Sequence, residues 1–179
     1  MHKMARDHVN DEELYRIFFY DCRPLTKKAH NPVTGAAVDF SRSPQAAFRL
    51  DLHNELRRLR KVALRLGDLR DGKRWLLRPE IAQGLLKKEI KVDGLTSEDV
   101  VYDIKQKGVD IKIGLDIASL AFKKQVQRIV LVSGDSDFVP AAKLARREGI
   151  DFILDPMWKP IRPDLFEHID GLQSKCPKP

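Results

Sequence analysis

Two carboxylates placed two residues apart are the feature of this sequence best suited to chemistry. Asp135 and Asp137 follow the apolar run 129–132, with Ser133 and Gly134 between, and a helix-like segment comes next. This pattern places acidic groups at the carboxyl end of a buried strand, the edge at which α/β sheets bind ligands. Because carboxylates held this close repel each other, such a site favours a divalent cation such as Mg²⁺ or Mn²⁺.

The composition indicates a globular protein with an affinity for polyanions. The chain has 179 residues, of which 42% are hydrophobic and 33% are charged, and its formal net charge is +7. This length suits one domain. The positive charge favours nucleic acid as a partner, although a solvated basic surface gives the same count. The candidate nucleic-acid-binding residues are Arg57, Arg58, Arg60 and Lys61.

Several classes of protein are disfavoured by what the sequence does not contain. No apolar run approaches the roughly 20 residues that cross a bilayer, and residues 1–14 hold no apolar signal core. Cys22 and Cys176 form no CxxC motif, which indicates reduced thiols rather than a zinc site. We therefore expect a cytoplasmic protein without membrane association. The phosphate-loop, dinucleotide-fingerprint and serine-elbow motifs are also absent from the sequence, which argues against those enzyme classes.

Strands alternate with helices along the chain, which predicts an α/β fold with a parallel sheet covered on both faces. The apolar pattern predicts strands over 15–20, 62–66, 99–104, 128–133 and 150–154. It predicts helices over 4–14, 44–61, 79–90, 109–124, 137–148 and 163–169. A loop is expected over 22–44 and a charged turn over 67–75.

The segment 107–117 fits two structures. Its polar and apolar residues alternate, as in a half-buried strand. A helix also fits, because Ile111, Leu115, Ala118 and Phe122 would share one helical face. The sequence pattern by itself does not favour the helix over the strand for this segment.

Two motifs, taken in their order and spacing, resemble a known family. KGVDIKIGLDIASL at 107–120 and IVLVSGDSDFVPAAKLARREG at 129–149 resemble the NYN domain family, in the LabA-like branch of the PIN-like nuclease superfamily. FFYDCRPL at 18–25 resembles the second strand of that family. The resemblance implies a single NYN domain over 1–179 with a three-layer PIN-like α/β fold, in which helices flank a central, mainly parallel sheet. It also implies that 107–122 is a helix.

The same resemblance implies a metal-dependent ribonuclease that hydrolyses RNA phosphodiester bonds with Mg²⁺ or Mn²⁺. Asp110, Asp135 and Asp137 match the family's acidic catalytic and metal positions, and Asp116 matches a further acidic position. Asp116 ranks lower, because six residues of helix turn it about 120° from Asp110 and move it about 9 Å along the axis. Pairing with Lys112 is its ordinary role.

Three residues are candidate accessory groups of this site: Asp21, Ser133 and Lys107. Asp21 ends a strand at what we expect to be the same sheet edge, and Lys107 precedes the helix that carries Asp110. Each acidic candidate also has a structural alternative. Asp135 and Asp137 are suited to capping the next helix, and Asp110 is suited to stabilising a helix N-terminus.

The start of the chain departs from the family pattern. The family opens with a strand whose final Asp is a central metal ligand, and residues 1–14 hold no such strand. We therefore expect an N-terminally incomplete domain that lacks one acidic ligand. The open strand edge favours a homodimer that covers it.

Two other functions stay open at this point. One is a non-catalytic RNA-binding or regulatory protein that keeps the fold with an incomplete acidic site. The weaker one is a haloacid-dehalogenase-like phosphatase, because Gly134-Asp135 with a nearby second Asp resembles the metal motif of that family. Against it, Asp21-Cys22-Arg23 stands where that family needs an apolar strand ending in Asp-x-Asp.

Overall fold

Helices and strands alternate along the part of the chain that the computed structural model describes, residues 2–9 and 12–178. The helices are α1 His2–Val9, α2 Pro44–Arg58, α3 Pro79–Leu86, α4 Val109–Phe122, α5 Val139–Arg147 and α6 Pro163–Phe166. The strands are β1 Ile17–Cys22, β2 Lys28–His30, β3 Ala37–Asp39, β4 Val62–Leu77, β5 Val100–Lys107, β6 Arg128–Val132, β7 Asp151–Asp155 and β8 Gly171–Leu172. The predicted α/β class is confirmed.

The chain divides into two compact units. The terminal unit consists of 1–20, 59–65 and 108–179, and the inserted unit consists of 21–58 and 66–107. β1 and β4 each run from one unit into the other. The expectation of one domain over 1–179 stays a prediction.

A parallel sheet forms the centre of the terminal unit. Its order is β6-β7-β8, and β6 and β7 pair from Arg128↔Asp151 to Val132↔Asp155. β7 is buried almost throughout, as expected for a strand covered on both faces. Full burial of each large apolar side chain contributes about 1.5–3 kcal/mol. The fully buried apolar side chains of this unit include Ala121, Ala142, Ala145, Phe152, Leu154 and Leu165.

From Val109 onward the ambiguous segment is a helix, as the resemblance implied, whereas Lys107 is the last residue of β5. α4 follows Gly108, whose φ of 76° is accessible to glycine without strain. Val109, Ile113 and Ile117 recur at four-residue spacing and are buried, which gives α4 a stripe that faces the core.

The inserted unit is built on antiparallel pairs. β4 pairs with β5, and β2 pairs with β3 in a short hairpin. β1 is the other neighbour of β4, so the three-stranded sheet has the order β1-β4-β5. α2 begins as its sequence indicates, because the Ser43 hydroxyl accepts a hydrogen bond from the Ala46 backbone N–H at 3.2 Å and Pro44 occupies the first helical position. The strands thus fall into three hydrogen-bonded sheets in the described residues.

The predicted turn over 67–75 is wrong, because this segment lies inside the 16-residue strand β4. Asp71-Gly72 reads as a turn but forms a bulge here. The β4–β5 register shifts between Asp71 and Trp75, and Lys73 adopts a φ of 56°. A bulge bends a strand without reversing it, so the pairing with β5 continues on both sides.

The described residues include no helix that is long and apolar enough to cross a membrane. The two cysteines, Cys22 and Cys176, are both free.

Candidate active site

The turn after β6 positions the Asp135 carboxylate. The Asp135 backbone N–H donates to the Ser133 hydroxyl at 3.2 Å, and the Asp135 Oδ1 accepts from the Asp137 backbone N–H at 3.0 Å. Asp135 therefore caps the 3-10 turn Ser136–Phe138 that leads into α5. Both carboxylates are exposed, and the second oxygen of Asp135 is left for a ligand.

Asp110 lies in the first turn of α4, where the helix dipole favours a negative charge. Its side chain is exposed, and it has no hydrogen-bond or ion-pair partner in the described part of the chain. A carboxylate that the protein leaves unpaired is free to bind a cation.

Three of the acidic candidates line one cavity of about 1160 Å³ in the terminal unit. Asp110, Asp116, Ser133 and Asp135 all line it. Asp137 lies two residues from Asp135 but is not part of this lining. The sequence therefore identified three acidic residues that share one cavity, although they are up to 25 positions apart in the chain.

Asp116 is held by two other residues of the same unit. It accepts a hydrogen bond from the Tyr20 hydroxyl at 2.9 Å, and the Arg65 guanidinium bonds to its two oxygens at 3.0 and 3.3 Å. Burial, together with the bond to Asp116, raises the pKa of Tyr20 far above its usual value. Asp116 is thus engaged by a cation and a phenol, which makes it a poorer free ligand than Asp110.

The donor set for a metal ion is incomplete in the part of the chain that the structure describes. Among the described residues, no three His, Cys, Asp or Glu side chains come together as a group that could hold a metal ion. A hard divalent cation takes about six oxygen ligands, of which carboxylates are the strongest. Asp110 and Asp135 supply two carboxylates, so the residues present do not by themselves fit a complete metal site.

The candidate residues Asp21 and Lys107 belong to the inserted unit. Asp21 is 2.9 Å from Nε2 of the buried His53 and 3.5 Å from Arg49, so its carboxylate is engaged within that unit. Lys107 ends β5 and lies opposite Asp68 in the ladder.

The basic run predicted to bind nucleic acid is split between the two units. Arg57 and Arg58 lie at the end of α2 and bond to Asn54 and Glu55, each at 2.9 Å. Lys61 bonds to Glu13 at 2.9 Å, and Arg60 is exposed. Exposed contacts of this kind are weak, so nucleic-acid binding by this run stays a prediction.

Sequence reasoning missed a buried carboxylate at the same sheet edge. Asp155 ends β7 opposite Val132, and it accepts hydrogen bonds from the Met157 and Lys175 backbone N–H groups and pairs with His8 at 2.8 Å. Burial opposes its ionisation, but these three partners outweigh burial and lower the pKa of Asp155. An Asp at a strand end was the available signal, and the remote His8 could not be read from the sequence.

The cavity also runs along two strand edges. Five consecutive residues of β6, Arg128 to Val132, line it, and so do five consecutive residues at β1, Arg16 to Tyr20. Alternate side chains of a strand point to opposite faces, so a cavity on one face would be lined by every second residue. A cavity that is lined by consecutive residues therefore lies along the edge of the strand. Among the described elements, β6 pairs only with β7.

Comparison with known proteins yields one match. The family model described as the NYN domain matches residues 67–158, which is just over half of the chain and includes Asp110, Asp116, Asp135 and Asp137. No curated protein and no solved structure matches the chain.

Proposed function

The chain belongs to the NYN domain family, and we propose that it is a metal-dependent ribonuclease that hydrolyses RNA phosphodiester bonds. The observation that carries this proposal is the shared cavity of Asp110 and Asp135. Asp135 follows a parallel strand, at the edge where α/β sheets bind ligands, and Asp110 starts a helix, so a regular element carries each residue. RNA is the substrate that membership in a nuclease family implies.

We infer that the Asp110 carboxylate and the second oxygen of Asp135 would supply two of the ligands of a Mg²⁺ or Mn²⁺ ion, since nucleases of this kind generally use divalent metals. Such an ion, when bound, would supply charge stabilisation to the phosphate that reacts. Asp116 is already paired with Arg65, and Asp137 supports the turn through its backbone N–H. The role of this chain's own residues is therefore to hold two acidic groups at a cavity wall.

A further strand between β1 and β6 would complete this site. The cavity runs along the edges of both strands, and no described element pairs with the open edge of β6. A strand that matches the five residues of β6 is about 17 Å long at about 3.3 Å per residue. If it ran parallel to β6 and ended in Asp, its carboxylate would reach the same edge as Asp135. The predicted homodimer is an untested alternative for covering this edge.

The second candidate is a non-catalytic RNA-binding or regulatory protein. The observation that favours it is the missing third metal-binding group in the described residues. The unpaired state of Asp110 favours the enzyme instead, because an exposed carboxylate with no protein partner has no evident structural task beyond the helix dipole.

Cleavage of a labelled single-stranded RNA separates the two functions. The chain would be compared with a form that carries a designed apolar strand ending in Asp-Gly, joined before residue 2 by a short Gly/Ser linker. The matched control has the same strand ending in Asn-Gly. We expect cutting with Mn²⁺ or Mg²⁺ by the Asp-Gly form, little by the Asn-Gly form, and none after Asp135→Asn.

Cutting by the 179-residue chain that Asp135→Asn abolishes would also support the ribonuclease, with the carboxylates of this chain sufficient. No cutting by any form, together with salt-sensitive RNA binding, would contradict the ribonuclease and support the non-catalytic binder.

A further inference from the structure

A pair of opposed cations lies on the inserted unit, on strands that the proposed active site does not use. In the antiparallel β4–β5 register Arg70 lies directly opposite Lys105. The Cβ atoms of such a pair are about 5 Å apart, and like charges at this position destabilise a sheet. Both side chains are exposed, and neither has a hydrogen-bond or ion-pair partner among the described residues. The repulsion between the two cations therefore destabilises the fold, and no contact of either side chain among the described residues offsets it.

Two of the acidic residues near this pair, Asp71 and Asp103, are engaged elsewhere. Asp71 bonds to Lys27 and accepts from the Tyr102 hydroxyl at 2.7 Å. Asp103 is 7% exposed and pairs with the Arg74 guanidinium at 2.9 Å. Neither carboxylate is left to neutralise Arg70 or Lys105.

The positive charge extends along one face of the antiparallel β4–β5 pair, which we call the ribbon. Side chains two positions apart in a strand share a face, so Lys107 is on the same face as Lys105. Lys107 is opposite Asp68, which is the remaining acid of this face. The ribbon face, defined by Arg70, Lys105 and Lys107, therefore carries three exposed cations against one exposed carboxylate.

We propose that the ribbon face binds the phosphate backbone of single-stranded RNA, a role that rests on RNA being the substrate of the proposed function. A phosphate between Arg70 and Lys105 would replace their mutual repulsion with two attractions, and Arg binds phosphate through paired N–H donors. Unpaired RNA is the form we assign, because cationic surfaces that track the backbone are how proteins bind single strands without sequence preference. These contacts would position the RNA strand without distinguishing one base sequence from another.

Charge reversal at Arg70 separates binding from folding. Arg70→Glu and, separately, Lys105→Glu each create an opposite-charge pair across the ladder. We expect an unchanged or higher urea midpoint for either variant. We expect about tenfold weaker binding of a 20-nucleotide single-stranded RNA, with the slope of log K against log salt reduced by about 0.7 per lost phosphate contact. Binding is measured in the Asp135→Asn chain without divalent metal, so that cleavage does not interfere.

The matched control is Lys91→Glu, which makes the same change in net charge at an exposed residue of the inserted unit outside the ribbon face. Unchanged RNA affinity in Arg70→Glu and Lys105→Glu would overturn the proposal, and so would an equal loss in Lys91→Glu. Competition by a 20-residue polyglutamate as strong as that by RNA would point to an acidic protein partner and overturn the RNA assignment. If the starting chain binds no RNA, the proposed function itself fails, which is a different outcome from insensitivity at Arg70.

Discussion

The Nε2 atom of His8 on α1 lies 2.8 Å from Oδ2 of Asp155 at the end of β7, and both side chains are buried. The two residues are 147 positions apart, so this pair ties α1 to the parallel sheet of the terminal unit. His8 also leaves its Nδ1 buried without a hydrogen-bond partner among the described residues.

Removal of the imidazole should destabilise the protein strongly. His8→Ala leaves Asp155 buried without this partner, and breaking a buried pair from one side costs about 3–5 kcal/mol. Because Asp155 keeps its bonds to two backbone N–H groups, we expect the lower end of this range. Urea unfolding measures the change. His30→Ala, at an exposed residue, is the control and should change little. Equal stability of the two variants would show that the pair contributes nothing.

The ion pair of Asp71 should make stability depend on pH in the acid range. Hydrogen bonds from Lys27 and then Tyr102 lower the pKa of Asp71 to about 2, whereas an unfolded Asp titrates near 3.9. Between these values the unfolded chain binds more protons, so stability falls as the pH falls from about 4 to about 2. Urea midpoints at pH 5, 4, 3 and 2 should therefore drop less steeply in Asp71→Asn than in the unchanged chain.

Other carboxylates also contribute to that acid limb, so the difference between variants is the informative quantity. Asp93→Asn, at an exposed residue, serves as the control. Parallel pH curves for the unchanged chain and Asp71→Asn would rule out a role for this ion pair.

Two glycines should respond in opposite directions to replacement by alanine. A Cβ on Gly72 would lie 2.7 Å from the Asp103 Cβ and closer still to its carboxylate, so Gly72→Ala forces the bulge apart at a cost of about 1–3 kcal/mol. Gly114 is inside α4 with no other heavy atom within 4 Å of its built Cβ. Gly114→Ala should raise stability by about 0.5–1 kcal/mol.

Thermal and urea unfolding of the two glycine variants test this pair of predictions. A destabilised Gly114→Ala would mean that α4 packs more tightly at this face than the structure describes. An unchanged Gly72→Ala would mean that the bulge relaxes freely.

The sequence predicted the positions of helices and strands better than it predicted which strands pair with each other. The helix over 109–122 needed the family resemblance, because Ile111 and Leu115 fit a strand alternation as well as a helical face. Asp71-Gly72 was misread as a turn, since turns and bulges use the same residue types. Pairing with the distant β5 decides between them, and no local pattern reports that pairing.

The part of the candidate site that lies directly after a strand was predictable from the sequence. Asp135 follows β6 directly, and parallel strands place such residues at one edge. The engagement of Asp116 by Tyr20 and Arg65, and the pairing of Asp155 with His8, depend on contacts between remote segments, which periodicity and motif spacing do not encode.

The central claim, that Asp110 and Asp135 carry RNA hydrolysis, is tested most directly by single-turnover cleavage rates with Mn²⁺. Asp110→Asn, Asp135→Asn and the control Asp164→Asn, which removes a half-buried carboxylate that pairs with Arg162, would be compared in the strand-extended chain. The account predicts rates lowered by about 100-fold or more in the first two variants and an unchanged rate in Asp164→Asn. Rates in Asp110→Asn and Asp135→Asn within a few-fold of the unchanged chain would contradict it.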